Sequence, residues 1–239
     1  MNIAIDGPAG SGKSTIAKKL AAGLGCVYAD TGAMYRAMAL LMLRKNISLK
    51  DEDAVAAAAE LADIRIEYRE GSQRVLLDGE DVTGLLREEK VGEAASRVSV
   101  YKPVRKKLVE LQQRLAAEVS VVMDGRDIGT VVLPDAEVKI FLTADPEVRA
   151  RRRYLELLAK KSPEEQCDLT DQEKENALLK LKRDIIERDE RDMSRKVSPL
   201  KKADDAILLD TSDLSINEVT SKILQIVRSA ESVQEGKSL

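Results

Sequence analysis

Near the start of the chain, Gly7-Pro8-Ala9-Gly10-Ser11-Gly12-Lys13-Ser14 fits the pattern G-x-x-x-x-G-K-[ST] at every position. The residue types dictate a chemistry. Glycines let the backbone curl so that successive N–H groups point at phosphate oxygens. Lys13 brings a positive charge to the β- and γ-phosphates, and the Ser14 hydroxyl suits Mg²⁺. Residues 7–15, ending at Thr15, are therefore expected to cradle ATP, with the next helix aiming its positive dipole end into the same space. No Asn-Lys-x-Asp run is present to read guanine.

Three further clusters carry chemistry-bearing side chains. Asp30-Thr31-Gly32-Ala33-Met34-Tyr35-Arg36 puts a hydroxyl, an aromatic ring and a guanidinium where a strand turns into a helix. Asp124-Gly125-Arg126-Asp127 follows an apolar run and belongs at the carboxyl edge of a sheet, where open α/β folds bind ligands. There Asp124 is expected to organise Mg²⁺ through its waters, as a Walker-B Asp does. Arg188, Asp192 and Arg195 fall at i, i+4 and i+7, on one helical face. Taken alone, that face could equally be a solvated one stitched by ion pairs. Residues 151–171 open with Arg151-Arg152-Arg153 and contain Ser162-Pro163. They read as a lid that brings Arg152 over ATP, the plain alternative being a solvated helix pair.

The elements that must position these groups follow from periodicity. Strands are expected at 2–6, 26–29, 119–123, 138–142 and 206–210, and helices at 14–24, 33–44 and 51–62, with further helices on both sides of Pro103. Asp145-Pro146 offers an N-cap with proline behind it, and Thr170 with Glu173 and Ser215 with Glu218 form capping boxes. Strands alternating with helices imply an α/β fold with a parallel sheet covered on both faces. At 64–69 and 74–77 the period switches to alternation, so a small β-rich unit interrupts the pattern as an insertion. The polar residues 229–239 are expected to be a frayed tail.

Composition narrows the classes. The chain has 239 residues, 44% of them hydrophobic and 34% charged, enough for an aliphatic core and a solvated surface. Histidine is absent, which excludes Ser-His-Asp and Cys-His machinery and any histidine-ligated metal. Cys26 and Cys167 stand far apart and are expected to be ordinary reduced thiols. A net charge of −3 gives no global attraction to nucleic acid. No run approaches a membrane span and the first residues lack a signal-peptide pattern, so a cytoplasmic protein with no membrane partner is expected. Arginines clustered with acids and few aromatics argue against a nucleic-acid partner, and the lack of a coiled-coil pattern leads to the expectation of a monomer.

In order, DGPAGSGKST, DTGAMYR, LLDGEDVT, DGRDIGTVVLPDAEVKIFL and ERDERDMSR followed by SPL resemble the bacterial cytidylate kinases over almost the whole chain. The resemblance implies a three-layer P-loop NTPase fold that carries a monophosphate-binding insertion and a lid. Its expected parts are a kinase core at 1–34, 103–150 and 172–228, an insertion at 35–102, a lid at 151–171 and a tail at 229–239. It implies Mg²⁺·ATP as phosphoryl donor and CMP or dCMP as acceptor. Tyr35, Arg36 and Arg126 would then meet the acceptor monophosphate, with Thr31 a further contact to CMP. Ser96, Arg105 and Asp127 would face the cytosine, Arg188 and Asp192 the ribose. Lys13, Arg126, Arg188 and Arg195 would act on the transferring group. A kinase for UMP, dTMP or a metabolite alcohol, and a nucleotide switch that transfers nothing, remain the alternatives.

Overall fold

The computed structural model describes residues 1–159, 162 and 170–235. Five parallel strands form its main sheet in the order β2(Val27–Asp30), β6(Val121–Gly125), β1(Asn2–Asp6), β7(Val138–Thr143), β8(Ile207–Asp210). The central strand alternates its faces. Ile3 and Ile5 pack with Leu20 of α1(Lys13–Leu24) and with Ile223 and Val227 of α8(Ile216–Glu235). Ala4 turns the other way, toward Met123, Val132 and the flank of α5(Lys102–Glu118). A sheet buried on both faces explains why β1, β6 and β7 read as nearly continuous apolar runs.

A second core lies in the insertion. It joins α2(Thr31–Arg44), α3(Glu52–Leu61) and α4(Glu89–Val98) to a three-stranded antiparallel sheet, β3(Ile64–Arg69), β4(Ser72–Leu77) and β5(Glu80–Asp81). Both hairpins close through two residues of positive φ, Glu70-Gly71 and Asp78-Gly79, the turn that matches strand twist. Met34 at one end and Val104 and Leu108 at the other belong to this second core. Helices α2 and α5 therefore take part in this second core while also touching the elements around the main sheet.

Several local expectations change on contact with the structure. Asp145 stands at the N-cap of α6(Pro146–Leu158), but its side chain accepts no hydrogen bond there. Its own N–H donates instead to Ser212 Oγ at 2.9 Å. Both capping boxes form, the first opening α7(Asp171–Met193) and the second α8. Helix α8 runs on to Glu235, so 229–235 is helical, because Val227 and Ala230 still pack on the main core. Of the expected lid, Arg151–Leu158 is the end of α6, while 160, 161 and 163–169, and with them Cys167, lie outside the described residues. Cys26 is a free thiol that burial pushes up in pKa. Among the described residues, no helix is long and apolar enough to cross a membrane.

Candidate active site

The donor end is built by the turn between β1 and α1. Gly7, Gly10 and Gly12 hold φ values of 147°, 75° and 89°, where L side chains are strained. At Gly7 a Cβ would also stand 2.0 Å from the carbonyl oxygen of Leu142, so the turn can lie flat on β7 only with glycine. Lys13 is buried in the first turn of α1, and its Nζ donates to Pro8 O at 2.6 Å and Ser11 Oγ at 3.3 Å. Burial, with Arg126 beside it, holds the ammonium well below its ordinary pKa.

At the end of β6, Asp124 accepts from Ser14 Oγ at 2.7 Å and from Tyr28 Oη at 2.9 Å. Burial and the neighbouring Asp30 raise its carboxyl to about 6. Three or more clustered acidic, Cys or His ligands occur nowhere among the described residues. One hydroxyl and one carboxylate in contact nevertheless fit Mg²⁺, which keeps several waters and takes its other oxygens from phosphates. Thr31 is buried and donates to the backbone oxygen of Asp124 at 2.7 Å, tying the start of α2 to the same strand end.

A second cluster is assembled from separate segments. Arg105 on α5 forms a buried ion pair with Asp127 and lies over the Tyr35 ring at 5.3 Å. Asp192 on α7 takes Arg126 Nε at 2.8 Å and, on its other oxygen, Arg195. Burial opposes the Asp192 charge, yet Arg126, Arg195 and Arg188 keep its carboxyl below the ordinary value. Ser96 on α4 accepts from Arg191 Nη1 at 3.0 Å, linking the insertion to α7. Among the described residues, Arg36 and Arg188 have no ion-pair partner. Burial and two like charges, Arg126 and Arg36, push Arg188 down to about 10.

The described structure thus brings Lys13 near Arg126, Asp124 and Arg188, and Arg188 near Arg36 and Asp192, with Ser14 and Thr31 bonded to Asp124 and Arg126 and Arg195 to Asp192. Arg105 and Asp127 stand beside Tyr35, and Ser96 approaches from α4. Arg195 is not on the helical face assigned to it: α7 ends at Met193 and Arg195 follows the Ser194 cap, although it still reaches Asp192 three residues back. Arg152 donates to Thr211 O at 2.5 Å and to Thr211 Oγ1 at 3.0 Å, beside the glycine-rich turn. Within the turn, Pro8 has no N–H to offer and the Ala9 N–H goes to Asp189.

Sequence reasoning missed four supports of this site. They are Tyr28 on Asp124, Asp189 and Arg149 on the turn, and Asp6, whose carboxylate accepts from Ile128 N at 2.8 Å and Gly129 N at 2.7 Å. Gln73 is a further link: its amide brackets the Asp30 backbone, accepting from the N–H at 2.8 Å and donating to the carbonyl at 3.2 Å. No local spacing announces these partners, which are 40 or more residues apart. Only the Asp189 position, inside the charged run after Arg188, carried a signal.

A parallel sheet with the glycine-rich turn after β1, and a cluster of arginines beside its lysine, define a P-loop phosphotransferase. The family model described as cytidylate kinase matches residues 3–229. The chain is 50% identical over 227 residues to the cytidylate kinase of Carboxydothermus hydrogenoformans, covering 95% of this chain and 97% of that one. It is 46% identical over 228 residues to that of Lactobacillus johnsonii, covering 95% and 94%. Among solved structures, an uncharacterized protein from Eubacterium ventriosum aligns over 96% of this chain and 99% of its own, with a TM-score of 0.50 and 14% identity, a likeness of fold alone. The chain belongs to the cytidylate kinase family.

Proposed function

We propose that this protein transfers the γ-phosphoryl group of ATP to the phosphate of CMP or dCMP, giving CDP or dCDP and ADP. The observation that carries the acceptor half is a set of unsatisfied donors. Tyr35 Oη, Arg105 Nε and Arg188 Nε are buried without a hydrogen-bond partner among the described residues. Buried polar groups are ordinarily paired, and these three, on residues the resemblance assigns to CMP, fit a polar, anionic occupant.

Phosphoryl transfer passes through a loose transition state with charge spread over three equatorial oxygens. Its demands are alignment and neutralisation, and this site is organised for both. The amides of residues 10–14 and Lys13 hold the ATP phosphates. Mg²⁺, held by Ser14 and through water by Asp124, would neutralise the β- and γ-oxygens. Arg36 and Arg126 bind the acceptor phosphate with Tyr35 and Thr31 at its side, and Arg188 and Arg195 meet the transferring group. Asp192 aligns Arg126 and Arg195 while reaching the ribose with Arg188. An acceptor phosphate is already nucleophilic near neutral pH, so no histidine is needed. The Arg105–Asp127 pair, with Ser96, offers both a donor and an acceptor to the cytosine edge. Its amino group donates where uracil presents an oxygen, which is the basis for choosing CMP.

The insertion at 35–102 carries the monophosphate, and 151–171 closes over ATP with Arg152, excluding water as a competing acceptor. The protein acts in the cytoplasm as a monomer, independently of nucleic acid. An acceptor panel tests the reading. With Mg²⁺·ATP, CMP and dCMP should drive ADP formation strongly, UMP weakly, and AMP, GMP and dTMP not at all. Equal turnover on another monophosphate would overturn the acceptor assignment, and ADP release indifferent to every acceptor would favour the nucleotide switch.

A further inference from the structure

The tip of the glycine-rich turn is gripped by side chains from two distant helices. Ala9 N–H donates to Asp189 Oδ1 at 3.0 Å, and Ala9 O accepts from Arg149 Nη1 at 2.9 Å. The same Arg149 nitrogen pairs with the other Asp189 oxygen, closing a ring of three groups around one residue. Arg149 is anchored in turn, its Nε donating to Ala144 O at 2.8 Å. Both side chains are buried, each residue 5% exposed. The turn lies so close that a Cβ on Gly10 would stand 3.2 Å from Arg149 Cβ.

Stability does not account for this arrangement. A buried ion pair is often no better than an apolar pair of the same volume, because both charges must be stripped of water. A carboxylate beside a phosphate site is also unfavourable unless something fixes and neutralises it. Arg149 neutralises Asp189, and what the pair achieves together is to hold both hydrogen-bonding groups of Ala9. With Ala9 held and Pro8 unable to donate, the amides of residues 10–14 are the ones left to converge on phosphate.

We propose that Arg149 and Asp189 are positioning residues for the donor nucleotide, fixing the Ala9 backbone so that the following amides stand preorganised for the ATP phosphates. Arg149 sits in the first turn of α6 and Asp189 near the end of α7, the two helices that flank 159–170. A shift of either helix is therefore felt at the turn. The inference rests on the turn being the ATP site.

The test is calorimetric titration of Mg²⁺·ADP, and separately of CMP, into wild type, Asp189→Asn, Arg149→Lys and the double variant Arg149→Met with Asp189→Leu, with melting curves alongside. The double variant leaves no buried charge unpaired and should melt close to wild type. Its ADP affinity should nevertheless fall about tenfold or more, as should that of Asp189→Asn, while CMP affinity stays within about twofold. A double variant that both melts and binds ADP like wild type would show the pair to be structural only. Should the double variant fail to fold, Arg149→Lys carries the test. It keeps the charge, but one nitrogen cannot serve Ala144, Ala9 and Asp189 in this geometry, so unchanged ADP affinity there overturns the proposal. Wild type that binds no ADP would instead remove the ATP reading on which the inference stands.

Discussion

The two ends of the site are made in opposite ways. The proposed donor end is one continuous stretch, residues 7–14, shaped by glycine conformation and close approach to β7, with Arg149 and Asp189 gripping its tip at Ala9. The proposed acceptor end gathers Tyr35, Ser96, Arg105, Arg126, Asp127, Arg188, Asp192 and Arg195 from five separate segments. It is held by ion pairs between them rather than by backbone shape. Backbone-built sites fail through geometry, when one atom too many displaces the chain. Charge-built sites fail through electrostatics, with the fold intact. That difference orders the expected effects of mutation.

The largest belongs to the acceptor end. Arg188→Ala removes a buried guanidinium that has no ion-pair partner among the described residues, so the fold loses little of its own bonding. Turnover should fall by about a thousandfold or more, the scale of a lost transition-state arginine, with ADP affinity nearly unchanged. Single-turnover kinetics beside ADP titration would check it. Near-normal turnover would remove Arg188 from the catalytic set.

Gly7→Ala should break the donor end in the other way. A Cβ 2.0 Å from the Leu142 carbonyl, at φ 147°, must push the turn away from β7. A loss of roughly 3 kcal/mol in urea unfolding, together with loss of ADP binding, is expected. Full stability with full ADP affinity would mean that the turn tolerates displacement.

How far the two ends were legible in the sequence follows the same division. The P-loop could be read because its function is local: glycines, a lysine and a hydroxyl at fixed spacing between a strand and a helix. The Thr170 and Ser215 capping boxes were legible for the same reason. The Asp145 cap failed because position does not determine where a side chain points. Arg195 was put on a helical face because periodicity cannot tell where the helix stops. At the acceptor end the family resemblance named the residues, Ser96 and Arg105 outside its quoted motifs, but not their pairing. Nothing in the spacing of Arg105 and Asp127, or of Arg126 and Asp192, says that they meet. Tyr28, Asp6, Gln73 and Arg149 were invisible as supports, and Asp189 showed only as a member of a charged run, since each acts on a group distant in the chain.

A smaller effect links the two ends. Asp6, buried at the end of β1, holds the Ile128 and Gly129 amides just beyond the Asp127 that pairs with Arg105. Burial raises its carboxyl to about 6, against an ordinary 3.8, despite those two hydrogen bonds. Below pH 3.8 it is protonated folded and unfolded alike, and its contribution to stability is fully present. Between 3.8 and 6 the unfolded chain gives up the proton first, so that contribution falls as pH rises, and it is lost above 6. The swing is roughly 3 kcal/mol. Asp6→Asn has no such titration, so urea unfolding of both proteins at pH 4.5 and 7 should show wild type losing stability relative to the variant. A constant difference between them would contradict the shift.

The most direct test of the central claim, that a charge-built acceptor end reads cytosine for a backbone-built ATP site, is the rate ratio for CMP over UMP in wild type and Asp127→Asn. ADP and nucleoside diphosphate would be measured together with saturating Mg²⁺·ATP. The account predicts equal amounts of ADP and CDP, and a ratio strongly favouring CMP in wild type. In the variant the ratio should collapse by about tenfold or more while ADP affinity holds, because the acceptor facing the cytosine amino group has lost its charge. An unchanged ratio in a folded variant would contradict it.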